Sequence, residues 1–124
     1  MTASWHSYCD VSDLVPSDSG IDVKFSDGRA HLISVEDQSE AYFLRGIVVR
    51  KSVVASIPDL TINTWLRNRT VALVGFRIDS RDRLVGEAWI PKAGLTAEEF
   101  QLYVRTVAVE CDRFEYQLTG KDVE

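Results

Sequence analysis

The sequence predicts an α+β domain in which a mainly antiparallel sheet of five strands packs against one long C-terminal helix. Apolar and polar residues alternate in several short segments separated by turn residues, as is typical of strands joined by hairpins. The last apolar segment instead repeats every three or four positions, as one face of an α-helix does. Strands that occur in runs, without a helix between each pair, favour antiparallel pairing.

The chain of 124 residues has the length of one domain, and we assign residues 1–124 to it. Residues 1–20 are the hardest to interpret, and their packing is left open. Apolar residues between Trp5 and Val15 have a roughly helical spacing, which predicts a short helix there. The turn-forming segment from Pro16 to Gly20 ends this helix.

Three strands are predicted next. Ile21 to Phe25 alternates between apolar and polar residues, as a half-buried strand does. The Asp27-Gly28 pair is a strong hairpin signal, and Arg29 to Val35 is the returning strand. The third strand, Tyr42 to Lys51, is predicted from its β-branched and aromatic residues.

A helix and two further strands follow. Pro58 to Asn68 begins with helix-start residues and lacks strand alternation, which predicts a short helix. Val71 to Ile78 is nearly all apolar and is predicted to be a central strand buried on both faces, with Leu84 to Ile90 returning beside it. The predicted order is therefore helix, three strands, helix, two strands, helix.

The final helix has the clearest signals. Thr96 and Glu99 match a capping box at its start, and Gly120 supplies a stop signal at its end. Its apolar residues form one continuous stripe, which must cover an apolar surface. The members of this stripe are Phe100, Tyr103, Val104, Val107, Cys111, Phe114 and Leu118.

A second apolar row lies on the opposite side of the same helix. Leu102, Val109 and Tyr116 are seven residues apart, which places them nearly opposite the main stripe. Scattered exposed apolar residues would account for this row. The alternative is a second burial surface against a subunit or a partner segment.

The formal net charge of −5 argues against a general nucleic-acid-binding protein. The segment from Arg45 to Arg83, however, contains eight basic residues and only three acidic ones. They are interpreted as solvated strand edges and turns, or alternatively as a basic patch for an acidic partner. No apolar run approaches the roughly 18 residues of a membrane span, and the first residues do not resemble a signal peptide, so a cytoplasmic protein without membrane contact is expected.

No catalytic, cofactor-binding or metal-binding constellation is predicted. His6 lies in the ambiguous N-terminal segment, and His31 lies in a strand, where a solvent-facing or hydrogen-bonded role is expected. A zinc site at His6, Cys9 and Cys111 has suitable donor types but no convincing fourth ligand, so reduced structural cysteines are favoured.

The order of elements and the C-terminal half resemble a known family. Val71–Ile78, Leu84–Pro91 and the helical segment Cys111–Tyr116 ahead of Leu118–Gly120 are similar to the bacterial YbjN-type domain, which shares the fold of type III secretion chaperones. The resemblance covers roughly residues 42–120. It implies a small α+β homodimer that binds protein or peptide segments, with no cofactor and no reaction.

Two functions are therefore expected as alternatives. The first is a non-enzymatic, chaperone-like or regulatory module that binds itself and an unknown protein or peptide. The candidate surface for this contact is Leu102, Val109, Tyr116, Trp65 and Trp89. The second is a small-molecule sensor or enzyme with an anion pocket near Arg67 and Arg69, suggested by the local basic excess.

Overall fold

The computed structural model describes residues 4–120 and confirms the α+β class. After a 3-10 helix at Trp5–Cys9, the strands are β1 (Leu14–Pro16), β2 (Gly20–Lys24), β3 (Ala30–Asp37), β4 (Ala41–Val49), β5 (Gly75–Ile78) and β6 (Leu84–Pro91). The helices are α1 (Lys51–Val54), α2 (Leu60–Thr70) and α3 (Ala97–Thr119). The six strands form one antiparallel sheet in the order β1-β2-β3-β4-β6-β5.

Helix α3 covers one face of this sheet and forms the core with it. The side chain of the N-cap Thr96 accepts a hydrogen bond from the backbone N–H of Glu99, and the side chain of Glu99 accepts one from the backbone N–H of Thr96. The predicted capping box is therefore present. Gly120 ends the helix in the left-handed conformation, at φ 69°. The apolar stripe is buried against the sheet at Phe100, Val104, Val107, Cys111 and Phe114.

The helix approaches the sheet most closely at two glycines. A Cβ atom placed on Gly86 of β6 would lie 2.6 Å from the Sγ of Cys111, and one on Gly46 of β4 would lie 3.0 Å from the same sulfur. The side chain of Cys111 on α3 therefore fills the space that a Cβ atom at either glycine position would occupy.

The helix predicted between Trp5 and Val15 is wrong in its second half. Trp5–Cys9 is helical, but it is a 3-10 helix, and Leu14–Pro16 forms the edge strand β1. The sheet therefore has six strands where five were predicted. Leu14 is buried in the core, whereas Val15 faces away from it, as strand alternation requires.

The segment predicted as a central strand is an edge strand. Only Gly75–Ile78 of it joins the sheet, where β5 pairs with β6 alone. Val71 to Val74 instead connects α2 to the sheet. The outer edge of β5 is closed by Asn68, whose side-chain amide accepts from the N–H of Phe76 at 2.8 Å and donates to its carbonyl oxygen at 3.0 Å. A side chain thus takes the place of a neighbouring strand.

Candidate protein-binding surfaces

Helix α2 directs three of its large apolar side chains outward, whereas Leu60 packs partly buried against the core. Asn63, Thr64 and Arg67 are partly buried, and none of the residues of α2 is fully buried. Trp65 is 58% exposed. It forms one exposed apolar surface with its helical neighbours, which we call the α2 face: Ile62, Trp65 and Leu66. This polarity is the reverse of that expected for a helix whose apolar face packs only on its own core.

The second apolar row of α3 points away from the sheet. Leu102 and Tyr116 are exposed, and Val109 is half-buried. Val109 lies in a shallow hollow of about 250 Å³ whose lining, Arg105, Thr106, Val109, Glu110 and Arg113, belongs entirely to α3. The row is therefore placed where the sequence predicts it, on the side of the helix opposite the core.

A third apolar surface lies on the side of the sheet that α3 does not cover. Trp89 of β6 is 57% exposed and is the register partner of Phe43 on β4. Leu32 and Ile47 share the same face, because they alternate with residues directed toward α3. We call this surface the open sheet face: Leu32, Phe43, Ile47 and Trp89.

The open sheet face also carries positive charge. The carboxylate of Glu87 accepts hydrogen bonds from the Nε atoms of Arg45 at 2.7 Å and of Arg77 at 2.6 Å. Two guanidinium groups on one carboxylate leave one net positive charge within this cluster, while Asp22 and Glu36, the register partners of Leu32 and Phe43, carry negative charge on the same face. A hollow of about 480 Å³ lies here, between Leu32, Ile47 and the turn from Asp79 to Arg83. This face can therefore accept apolar side chains together with a negatively charged group.

The five predicted surface residues do not form a single patch. Trp89 lies on the open sheet face, on the opposite side of the sheet from Leu102, Val109 and Tyr116 of α3. Trp65 belongs to the α2 face beside β5. The structure thus divides the predicted surface among three elements.

No family model matches the sequence, and no curated protein matches it. The fold, however, matches several solved structures. YbjN of E. coli has a TM-score of 0.61 at 18% sequence identity, covering 91% of this chain and 84% of its own. A chain of the heterodimeric ExoU–SpcU complex from the type III secretion system of Pseudomonas aeruginosa has a TM-score of 0.60 at 11% identity, covering 94% and 97%. The structure of the Yersinia pestis secretion chaperone SycH with a fragment of YscM2 has a TM-score of 0.55 at 5% identity, covering 90% and 99%.

This chain has the YbjN-type, secretion-chaperone fold. At these levels of identity the likeness concerns the arrangement of the chain, and it confirms the resemblance expected from the C-terminal half of the sequence.

Arg67 and Arg69, the arginines proposed for an anion pocket, contact other side chains in this secretion-chaperone fold. Arg67 donates to Gln117 at 2.9 Å, lies 3.7 Å from Glu110 and stacks over the Phe114 ring at 5.4 Å. Arg69 lies over the ring of Trp65 at 4.8 Å. Arg67 therefore attaches α2 to α3, and this geometry gives no support to an anion pocket at the two residues.

The basic residues between Arg45 and Arg83 are also dispersed. Arg45 lies on the open sheet face, Arg67 faces α3, and Arg83 donates to Asp79 through Nε at 2.9 Å and Nη2 at 2.7 Å. Burial acts to raise the pKa of Asp79, but the hydrogen bonds from the Arg83 side chain and from two turn amides outweigh it and lower the pKa to about 2. Arg45, Arg81 and Arg83 line the hollow on the open sheet face, whereas Arg67 lies against α3, so the eight basic residues do not form one continuous patch.

The histidines and cysteines weighed for chemistry are buried, stacked or hydrogen-bonded in the structure. Both cysteines are free and buried, and burial raises the pKa of Cys111 to about 12, so its thiol is a poor nucleophile. The ring of His6 stacks on Trp5, and its Nε2 lies 2.6 Å from the carbonyl oxygen of Ser17. His31 is hydrogen-bonded as expected, but it is buried and does not face solvent. Within residues 4–120, no helix is both long and apolar enough to span a membrane.

Proposed function

We propose that this chain is a non-enzymatic, chaperone-like protein-binding module that acts as a homodimer in the cytoplasm. The observation that carries the proposal is the reversed polarity of α2, whose Ile62, Trp65 and Leu66 face solvent while polar residues face the body of the domain. Solved structures with this fold include complexes of chaperones with other proteins, such as the HopA1–SchA chaperone–effector complex, with a TM-score of 0.53 at 13% identity. Those complexes support a protein partner.

The α2 face is assigned to the homodimer. A twofold axis brings the same patch of two copies together, so a single exposed helix face can be self-complementary. Full burial of each large apolar side chain contributes roughly 1.5–3 kcal/mol, and about half of that remains to be gained where a side chain is already half-buried. The six side chains of two copies together gain roughly 4.5–9 kcal/mol, which is comparable to the entropic cost of association, so the expected dimer is weak and depends on protein concentration.

The open sheet face is assigned to the protein or peptide partner. Trp89 and Leu32 are exposed there, and the Arg45–Glu87–Arg77 cluster adds positive charge beside them. The expected partner segment therefore carries apolar side chains next to an acidic residue. The outer row of α3, with Val109 at its centre, is the competing candidate for either contact.

Light scattering after size-exclusion chromatography at several protein concentrations tests the assignment. Trp65→Asp, Val109→Asp and Trp89→Asp each introduce one charge on a different surface, so they serve as controls for one another. The wild type, Val109→Asp and Trp89→Asp are expected to be dimers, and Trp65→Asp a monomer, with far-UV circular dichroism confirming that every variant is folded. A monomeric wild type would refute the homodimer. A dimer lost only in Val109→Asp would move the interface to α3.

A further inference from the structure

His31 is a buried polar residue with a fixed ring orientation. It lies on β3 beneath α3 at 2% exposure, and its Nε2 is 2.9 Å from the carbonyl oxygen of Ile47. A carbonyl oxygen only accepts hydrogen bonds, so Nε2 must carry the proton. Nδ1 is then the nitrogen that can bind either a second proton or a metal ion.

Two carboxylates of α3 lie beside this ring. Asp112 and Glu115 are three positions apart and therefore share one side of the helix. The ligand atoms of His31, Asp112 and Glu115 all lie within 4.8 Å of one another. Within residues 4–120, this is the one group of three or more potential ligand side chains gathered in this way.

The surroundings of the cluster match those of metal ligands in proteins. Histidine ligands usually donate their other ring N–H to a carbonyl or carboxylate oxygen, as His31 does to Ile47. Ligating carboxylates are also held by hydrogen bonds, and Arg29 Nη1 donates to Asp112 at 2.7 Å. Glu115 is 0% exposed, whereas the side chain of Asp112 is 16% exposed and marks the side from which an ion can enter.

The charge of the cluster favours a cation. Asp112 and Glu115 contribute two carboxylates to the cluster, and Arg29 contributes one positive charge at Asp112. Carboxylate oxygens and an imidazole nitrogen are ligand types that Zn²⁺ accepts.

We propose that His31, Asp112 and Glu115 form a divalent-metal site, with Zn²⁺ as the ion that best fits one imidazole nitrogen and two carboxylate oxygens. Three protein ligands leave a fourth position open, toward the partly exposed side of Asp112. Zinc bonds of about 2.0–2.2 Å require the ligand atoms to approach one another by roughly an ångström. This site is independent of the proposed protein-binding surfaces.

Isothermal titration of chelator-treated protein with ZnCl₂ at neutral pH tests the site. The expected result is one ion per chain and a higher melting temperature when the ion is bound. Asp112→Asn keeps the size of a partly exposed side chain and lowers the affinity by about tenfold or more. Asp22→Asn, on the open face of β2, is the matched control and leaves the affinity unchanged.

Nitrogen-15 spectra of the histidine rings locate the ion in the wild-type protein, so the test does not depend on the folding of a variant. Zinc is expected to shift Nδ1 of His31 and to leave the ring of His6 unchanged. The absence of zinc binding at neutral pH would overturn the proposal. Binding that shifts His6 alone, or that is equally strong in Asp112→Asn, would overturn it as well.

Discussion

Replacing Gly86 by alanine should force α3 away from the sheet. The added methyl group would lie 2.6 Å from Cys111 Sγ and 2.9 Å from Phe76 Cε1, against ordinary contacts of about 3.5–4.0 Å. The Phe76 ring cannot swing aside freely, because it packs edge-on against Phe114 at a centroid distance of 4.9 Å. A displacement of about 1 Å must be shared by tightly packed elements, and such overpacking costs about 1–3 kcal/mol of the free energy of unfolding.

Urea unfolding followed by circular dichroism measures this loss. Gly75→Ala is the control, since it is also a glycine in a strand but no atom lies within 4 Å of its added Cβ, and its stability should be unchanged or slightly higher. Cys111→Ala removes the sulfur, so it should restore at least about 1 kcal/mol when combined with Gly86→Ala. Equal stability of Gly86→Ala and Gly75→Ala, or no recovery in the double variant, would refute the close contact of helix and sheet.

Three further outcomes are expected. Asp79 has a folded-state pKa of about 2, below its ordinary value of 3.8, so the hydrogen bonds from the Arg83 side chain and from two turn amides together contribute about 2 kcal/mol above pH 4. This contribution is lost as the pH falls toward 2, and Asp79→Asn should flatten that part of the stability–pH curve in urea titrations. Thr96→Ala removes the N-cap of α3 and should lower the free energy of unfolding by about 1 kcal/mol, and an unchanged urea midpoint would contradict the capping role. Cys9 and Cys111 should react with an aromatic disulfide reagent only after unfolding, since both are buried; rapid labelling of either thiol in the native protein would contradict that burial.

The parts of the fold that the sequence predicts correctly are those with local signals. Thr96, Glu99 and Gly120 mark the limits of α3 within a single turn at each end, and its apolar stripe is read from neighbouring residues. Strand β1 has only three residues, and the turn-forming segment Pro16 to Gly20, which the sequence predicts as the end of a helix, is the hairpin that joins it to β2. The apolar run that ends at Ile78 predicts burial, but it does not show whether the strand lies at the centre or at the edge of the sheet. An edge strand preceded by a partly buried connection has the same apolar composition as a central strand.

The candidate surfaces also include one that the sequence predicts and others that it does not. The outer row of α3 is predictable because a helix that buries one stripe must expose the residues opposite to it. The orientation of α2 is not predictable, because an apolar stripe normally faces the core, and only the polar contacts of Arg67 and Asn68 in the folded chain reveal the reversal. The cluster at His31 has no sequence signal, since Arg29 and Asp112 are 83 positions apart and only the packing of α3 on β3 joins them.

The contact between the Asn68 side chain and the backbone of β5 limits substitution differently at positions 68 and 76. Asn68 binds only the backbone N–H and carbonyl oxygen of Phe76, so residue 76 can change to another apolar type without disturbing it. Position 68 has no such freedom, because its amide supplies a donor and an acceptor at the spacing of a neighbouring strand. Loss of that amide would leave the outer edge of β5 open to pairing with a strand of another chain.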